Sequence, residues 1–312
     1  MLINNNNNYS VLPFYESLQE QNHRKTYSFG EIYPLYAPLK RILPFQILIK
    51  PETDSRVFNL RWELHHLADG RDEIVPIDML ELGQAINASG MDTRTLGGLY
   101  QIIYPSVASI VLQQVIEPGQ YYFKLTVTEA YLTPSDNPDD YVNHKLYSEV
   151  FTWVNSTATF LRIEWGCVNN IYTDAGTIYY KSLRYSIIPY LYIATELGKP
   201  DYLFEDEGES RDGLFFATKQ LSKKVYRFTF VAPEYMCDII RLIPLSDMIK
   251  VSDPYGRQYN CQSFLPTIKW LTQGNLASVE CEFVADTIVK KVGYASDGIG
   301  DFNNDYNDDF AN

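Results

Sequence analysis

The sequence lacks both a membrane-spanning run and a recognisable secretory leader. A membrane-spanning helix needs about 20 mostly apolar residues, whereas the apolar stretch at residues 185–194 is short and contains Pro189. Residues 1–10 have neither the basic start nor the apolar centre of a signal peptide. We therefore expect a protein with no membrane anchor that is not exported.

Basic residues are scarce and form no cluster. The 312 residues include 26 Lys and Arg against 39 Asp and Glu, which gives a formal charge of -13. Proteins that bind nucleic acids concentrate Lys and Arg against the phosphates. Since no basic run or aromatic RNA-binding signature occurs, we expect no direct contact with nucleic acid.

Cysteines are few and widely spaced. The four are Cys167, Cys237, Cys261 and Cys281, and none forms the C-x-x-C pair typical of zinc and redox sites. We predict four buried free thiols. A single disulfide between Cys261 and Cys281 is the alternative, because both lie in strand-like contexts.

Sequence motifs of catalysis are also missing, including the nucleophile elbow, the zinc-protease motif and the phosphate and dinucleotide loops. His65 and His66 are adjacent on a predicted strand, so they point to opposite faces and cannot both bind one metal ion. Glu63, Glu149 and Glu164 lie near Trp residues, but their spacing does not indicate the close carboxylate pair of a glycosidase. We interpret these three as solvent-facing strand residues and predict a non-enzymatic protein without a cofactor.

Alternating apolar and polar residues are abundant, and the chain is rich in aromatics, with 25 Tyr and 16 Phe. Period-two alternation predicts strands with one buried face. We predict an all-β protein with one short helix, built from two antiparallel β-sandwich domains at residues 46–155 and 156–292. About seven short strands separated by turn residues make the first domain immunoglobulin-like. Predicted strands include residues 57–64, 120–128, 146–154, 214–221, 224–231 and 277–284.

The short helix is predicted at residues 232–243. Pro233 suits its first turn, and Pro244 would end it. Met236, Ile239, Ile240 and Ile243 would share one face.

Residues 1–45 form an extended arm punctuated by proline. Each Pro removes a backbone donor and extends the residue before it, which prevents a continuous helix. Since exposed aromatics are costly, we expect the arm to dock on its own domain or on a neighbouring subunit. Its predicted partner contacts are Phe14, Tyr15, Tyr33 and Tyr36.

Residues 293–312 form an acidic tail with aromatic residues at a period of four. Phe302, Tyr306 and Phe310 each follow Asp in a short repeat. Asp and Asn disfavour helices, so we expect turns or disorder in the free chain and a tail that binds a partner through these three rings.

Two acidic segments raise the alternative of calcium binding. The run at residues 205–213 is interpreted as a solvated hairpin loop. In the tail, Asp301, Asn303 and Asp305 match the first ligand positions of a calcium loop, but Tyr306 occupies the place of the required Gly. Calcium is therefore the weaker interpretation for both segments.

Several segments resemble uncharacterised structural proteins of Bacteroidetes phages and prophages. The resemblance lies in residues 118–125, 147–151, 226–235, 237–238 and 299–306. It implies a tail, baseplate or connector component of a virion, assembled in the bacterial cytoplasm. Its partners would be further copies of the chain and other virion proteins.

A carbohydrate-binding β-sandwich on a Bacteroidetes cell surface is the alternative function. Exposed aromatics such as Trp153 and Trp165 would then stack on sugars. That function requires export, which residues 1–10 do not supply.

Overall fold

A computed structural model shows an all-β fold, with one short α-helix among the described residues, two sheets in a sandwich-like arrangement and a smaller third sheet, which confirms the predicted class. The structure describes residues 10–21, 35–39, 41–45, 47–49, 56–68, 71–76, 86–92, 100–105, 116–131, 142–166, 188–211, 213–270 and 276–291.

Strands in the first half of the chain are numbered in order of sequence. They are β1 (Phe14–Tyr15), β2 (Tyr36–Pro38), β3 (Ile47–Ile49), β4 (Arg56–Ala68), β5 (Arg71–Val75), β6 (Ile86–Asp92), β7 (Tyr100–Pro105), β8 (Gly119–Tyr131), β9 (Val142–Ser148) and β10 (Phe151–Val154). A short 3-10 helix, Leu18–Glu20, follows β1.

The second half continues the numbering. Its strands are β11 (Leu161–Gly166), β12 (Tyr190–Ile193), β13 (Asp201–Arg211), β14 (Leu214–Pro233), β15 (Met248–Ser252), β16 (Gln258–Asn260), β17 (Ser263–Trp270) and β18 (Leu276–Lys291). Helix α1 (Glu234–Ile240) and a 3-10 helix, Ile243–Leu245, lie between β14 and β15.

The largest sheet has 11 strands, in the order β1-β9-β8-β10-β2-β12-β11-β15-β16, with β4 also paired to β8 and β5 to β4. Strand β2 from the arm runs parallel to β10 and antiparallel to β12. Hydrogen bonding in this sheet is therefore continuous across residue 155, where the sequence predicts a domain boundary. A second sheet has the order β13-β14-β18-β17, and a third has the order β3-β7-β6.

Described parts of the arm pack into the chain's own core. Leu12, Phe14 and Leu35 are fully buried. The Leu12 amide donates to the Pro44 carbonyl at 3.0 Å, and the Trp153 indole N–H donates to the Arg41 carbonyl at 2.7 Å. Of the two expected docking places, the described arm segments therefore occupy the chain's own domain.

Aromatic rings fill the space between the arm and the large sheet. The Phe14 and Phe45 rings lie 5.1 Å apart, and the Phe123 and Phe151 rings lie 5.4 Å apart. Trp153 contacts Phe151 edge to face at 5.1 Å. Burying each such ring contributes about 1.5–3 kcal/mol, so this cluster is a main source of stability.

Helix α1 is shorter than the predicted helix. Ala232 and Pro233 still belong to β14, where they pair with Ala277 and Leu276 of β18, so the helix starts only at Glu234. The predicted apolar face is confirmed, because its four residues are all buried: Met236, Ile239, Ile240 and Ile243.

Two strand predictions differ from the structure. The predicted strand at residues 146–154 is divided into β9 and β10 at residues 149–150, where the Val150 amide donates to the Glu149 side chain at 3.0 Å. The predicted strands at residues 214–221 and 224–231 are one strand, β14, whose pairing with β18 shifts register between Lys224 and Val225.

Candidate interaction surface

The four-stranded sheet extends beyond the layer that covers it. Tyr259 of β16 packs on Tyr226 of β14 and Phe283 of β18, with ring centroids 4.9 and 5.9 Å apart. Strands β14 and β18 are long, at 20 and 16 residues, and they continue past these rings together with β13. Residues 201–208 of β13 are all exposed. The extension therefore presents both of its faces to solvent.

One face of this extension continues the core side of the sheet, and we call it the distal inner face. Its residues form three cross-strand rows over β13, β14 and β18. They are Tyr202, Lys224 and Asp286; Phe204, Ser222 and Ile288; and Asp206, Gln220 and Lys290. The Lys224 ammonium lies 5.4 Å from the Tyr226 ring centroid, which places it on the same side as the core aromatics.

Large apolar side chains on the distal inner face remain uncovered. Phe204 is 77% exposed, Ile288 66% and Tyr202 60%. Phe204 and Ile288 flank Ser222 in the middle row. Single exposed apolar residues need no explanation, but an apolar row flanked by charged residues is typical of an interaction site.

The opposite side of the extension, the distal outer face, has its charges paired within the chain. Lys223 Nζ lies 2.7 Å from a Glu205 oxygen, and Lys219 Nζ lies 2.9 Å from a Glu207 oxygen. Such exposed pairs contribute little to stability, but they leave this face with few unmatched charges.

The same pairs correct the interpretation of the acidic run. Most of residues 205–213 lie on strand β13, paired with β14, rather than in a solvated loop, and Glu205 and Glu207 form ion pairs with lysines of β14. The turn lies next to Gly213, which has a positive φ of 81°. Among the described residues, no group of three or more potential ligands is placed to hold a metal ion.

The adjacent histidines stack on adjacent tyrosines. His65 lies 4.6 Å from the Tyr122 ring, and His66 lies 4.6 Å from the Tyr121 ring. His65 Nδ1 is 2.8 Å from an Asp72 oxygen, and the Tyr122 hydroxyl donates to the other oxygen at 2.7 Å. This cluster joins β4, β5 and β8 and gives His65 a structural role.

The three candidate carboxylates each have their own partners. Glu63 accepts from Lys124 Nζ at 2.5 Å, and this hydrogen bond holds the Glu63 pKa below its usual value despite partial burial. Glu164 pairs with Arg162 on its own strand, β11. The expectation that all three face solvent is wrong for Glu149, which is 1% exposed and lies between β9 and β10.

Glu149 belongs to a buried cluster that links the arm to both halves of the chain. The Tyr15 hydroxyl donates to Glu149 Oε2 at 3.2 Å. Burial and the nearby Glu149 charge raise the pKa of Tyr15 and of Tyr235, which lies on α1. The Gln21 side-chain amide donates to the Ser148 carbonyl at 2.5 Å. The cluster therefore anchors the arm.

The structure places the predicted contact residues of the arm as follows. Phe14 is fully buried and contacts Trp62 at 6.1 Å. Tyr15 is bound to Glu149, and Tyr36 is half-buried against Phe160 at 4.7 Å. The remaining predicted contacts lie outside the described residues: Tyr33, Phe302, Tyr306 and Phe310.

Sequence reasoning missed the apolar row of the distal inner face. The available signal was the apolar run Tyr202, Leu203 and Phe204 directly before the acidic residues 205–207, opposite a lysine-rich segment. Ile288 lies beyond the predicted end of its strand at residue 284.

The tryptophans proposed to bind sugars are buried. Trp153 and Trp165 lie in the core, and neither ring offers a face to a ligand. Trp270 at the end of β17 is the exposed tryptophan of the four, at 52%. A single exposed ring is a weak basis for carbohydrate recognition.

Cysteines 237, 261 and 281 are free thiols, so the alternative disulfide between Cys261 and Cys281 is wrong. Cys237 and Cys281 are buried as predicted, and Cys261 is half-buried. Cys167 lies outside the described residues.

Comparisons with protein-family models and with curated proteins find no match to this chain. Within the described ranges, no helix has the length and apolar character needed to cross a membrane.

Proposed function

We propose that this chain is a non-enzymatic structural subunit that acts by binding other protein subunits. The observation that carries the proposal is the distal inner face, where Phe204 and Ile288 are exposed on a continuation of the core side of the sheet. Covering such a row on assembly removes apolar surface from water, which drives most protein association.

The side-chain chemistry supports a non-enzymatic role. Glu63 and Glu164 lie in ion pairs within the large sheet, and Glu149 is buried against Tyr15. Catalytic acids and bases must reach a substrate in a cleft, whereas these carboxylates are bound to side chains of the same fold. Most of the described Phe and Trp residues likewise pack in the core.

The proposed setting follows the resemblance to phage structural proteins. The chain would be a tail, baseplate or connector component, made in the bacterial cytoplasm and built into a virion with other copies and other virion proteins. The buried Trp153 and Trp165 weigh against the carbohydrate-binding alternative.

The test is co-expression of the full chain with the products of adjacent genes, followed by affinity purification and light scattering. We expect a complex of defined stoichiometry, either with a neighbouring gene product or between copies of the chain. A strict monomer that co-purifies with none of these products would contradict the proposal, as would specific binding on a glycan array.

A further inference from the structure

We infer that the distal inner face binds the same face of a second copy of this chain around a two-fold axis. The inference rests on the proposed function and names the partner. The axis runs across the strands along the middle row, from Phe204 through Ser222 to Ile288.

This axis places the apolar residues at the centre of the interface. A two-fold axis along a row brings each residue of that row opposite its own copy. Phe204 then faces Phe204 of the partner subunit, and Ile288 faces Ile288 of the partner subunit. Both side chains are more than half exposed in the single chain, so pairing covers the apolar row in both copies.

The same axis exchanges the two outer rows, and their charges are complementary. Asp286 faces Lys290 of the partner subunit, and the symmetry produces this ion pair twice. Tyr202 faces Asp206 of the partner subunit, which matches a hydroxyl donor with a carboxylate. Packed sheets lie about 10 Å apart, a gap that a Lys and an Asp side chain span together.

Two other face-to-face pairings of this extension are less favourable. An axis along the strands would place Lys224 over Lys224 of the partner subunit. On the distal outer face, an axis along the row of Glu205, Leu221 and Val289 would place Glu205 over its own copy, and it would offer Glu205 no new ion pair because Glu205 is already paired with Lys223. Like charges in contact are destabilising, so charge selects the inner face and the axis across the strands.

The first test compares two adjacent residues that point to opposite faces of β18. Sedimentation of the full chain should show a dimer. Ile288→Asp should raise its dissociation constant at least ~10-fold, because the new carboxylate faces its own copy in a desolvated centre. Val289→Asp, at a residue 47% exposed on the outer face, adds the same charge and should leave the dimer intact.

The second test exchanges the charges of the ion pair. Asp286→Lys or Lys290→Asp alone should weaken the dimer, since each places like charges opposite one another. Asp286→Lys combined with Lys290→Asp should restore it. Asp286 and Lys290 are four residues apart along one strand, about 13 Å, so a rescue cannot come from a contact within one chain.

The outcomes separate this inference from the proposed function. An oligomer insensitive to Ile288→Asp and to both charge reversals would overturn the two-fold pairing and leave the assembly role standing. A monomer that binds only a neighbouring gene product would also overturn the two-fold pairing and leave the assembly role standing. A monomer that binds no protein would overturn both.

Discussion

The hydroxyl of Tyr15 donates a 3.2 Å hydrogen bond to Glu149 Oε2 across 134 residues of sequence. Tyr15 lies on β1 of the arm, and Glu149 lies in the break between β9 and β10. Because Glu149 is almost fully buried, its carboxylate depends on such donors. The contact makes the arm part of the fold.

Replacing Tyr15 by Phe should lower the free energy of unfolding by about 1.5–3 kcal/mol, since a buried charged acceptor loses a donor. Urea unfolding followed by tryptophan fluorescence measures the change. Tyr255→Phe is the matched control, because Tyr255 is 81% exposed and its hydroxyl is already in water. Equal stability of the Tyr15 variant and the wild type would contradict the anchoring role.

Glu63 should make stability depend on pH in the acid range. Its hydrogen bond with Lys124 holds the Glu63 pKa below the usual 4.5. A carboxylate with a lowered pKa stabilises the folded state above its unfolded pKa, and this contribution is lost as the pH falls below about 4.5 through the folded pKa.

The unfolding free energy of the wild type should therefore exceed that of Glu63→Gln at neutral pH, and the difference should shrink on acidification. Chemical unfolding from about pH 7 to about pH 3 measures it. Lys124→Met should likewise reduce the pH dependence of the unfolding free energy, because it removes the ammonium that binds Glu63. Parallel curves of unfolding free energy against pH for the wild type and Glu63→Gln would refute the stabilising role of ionised Glu63.

The described thiols should be almost unreactive in the folded protein. Burial raises the pKa of Cys281 and Cys261 to about 12 and that of Cys237 to about 11. Since the thiolate is the reactive form, these three residues should resist Ellman's reagent near pH 8 and react fully in denaturant. Mass spectrometry of the labelled peptides distinguishes them from Cys167; rapid native labelling of Cys281 would be inconsistent with its burial.

Two tryptophans should differ sharply in their effect on stability. Trp153→Ala should cost about 3–5 kcal/mol, because a large buried side chain and its hydrogen bond to the Arg41 carbonyl are lost. Trp270→Ala, at the exposed end of β17, should change the unfolding free energy by less than about 1 kcal/mol. Thermal and urea unfolding measure both. Similar losses for the two variants would show that Trp270 is also packed.

Period-two alternation predicted the strands with one buried face. Predicted strands at residues 57–64, 120–128 and 277–284 correspond to parts of β4, β8 and β18. The buried face of α1 was likewise predicted from the spacing of its apolar residues. In these elements the local pattern and the tertiary packing agree.

The distal sheet could not be predicted in the same way. Residues 205–207 are acidic, a composition usual in loops, and they form a strand because they pair with residues 219–221 of β14. Ile288 lies in a stretch of mixed polarity that forms a strand because β14 runs alongside it. The local sequence pattern does not indicate that β14 pairs with either segment.

The docking place of the arm is a second feature that the local sequence pattern could not predict. Proline placement predicts an extended arm, and its described segments are short strands and bends with one 3-10 helix, Leu18–Glu20. The sequence left two docking places open, since burial of Phe14 against Phe45 and Trp62 depends on how distant segments meet. A strand as short as β2 also carries too few residues to show a period.

The position of β2 in the large sheet has a consequence for biosynthesis. Residues Tyr36–Pro38 leave the ribosome early, but their neighbours are Phe151–Val154 on one side and Tyr190–Ile193 on the other. Pairings between such distant segments form slowly, and unpaired strand edges invite misassembly. During synthesis, β2 gains its first neighbour only once Val154 has emerged, and its second edge stays open until Ile193 follows.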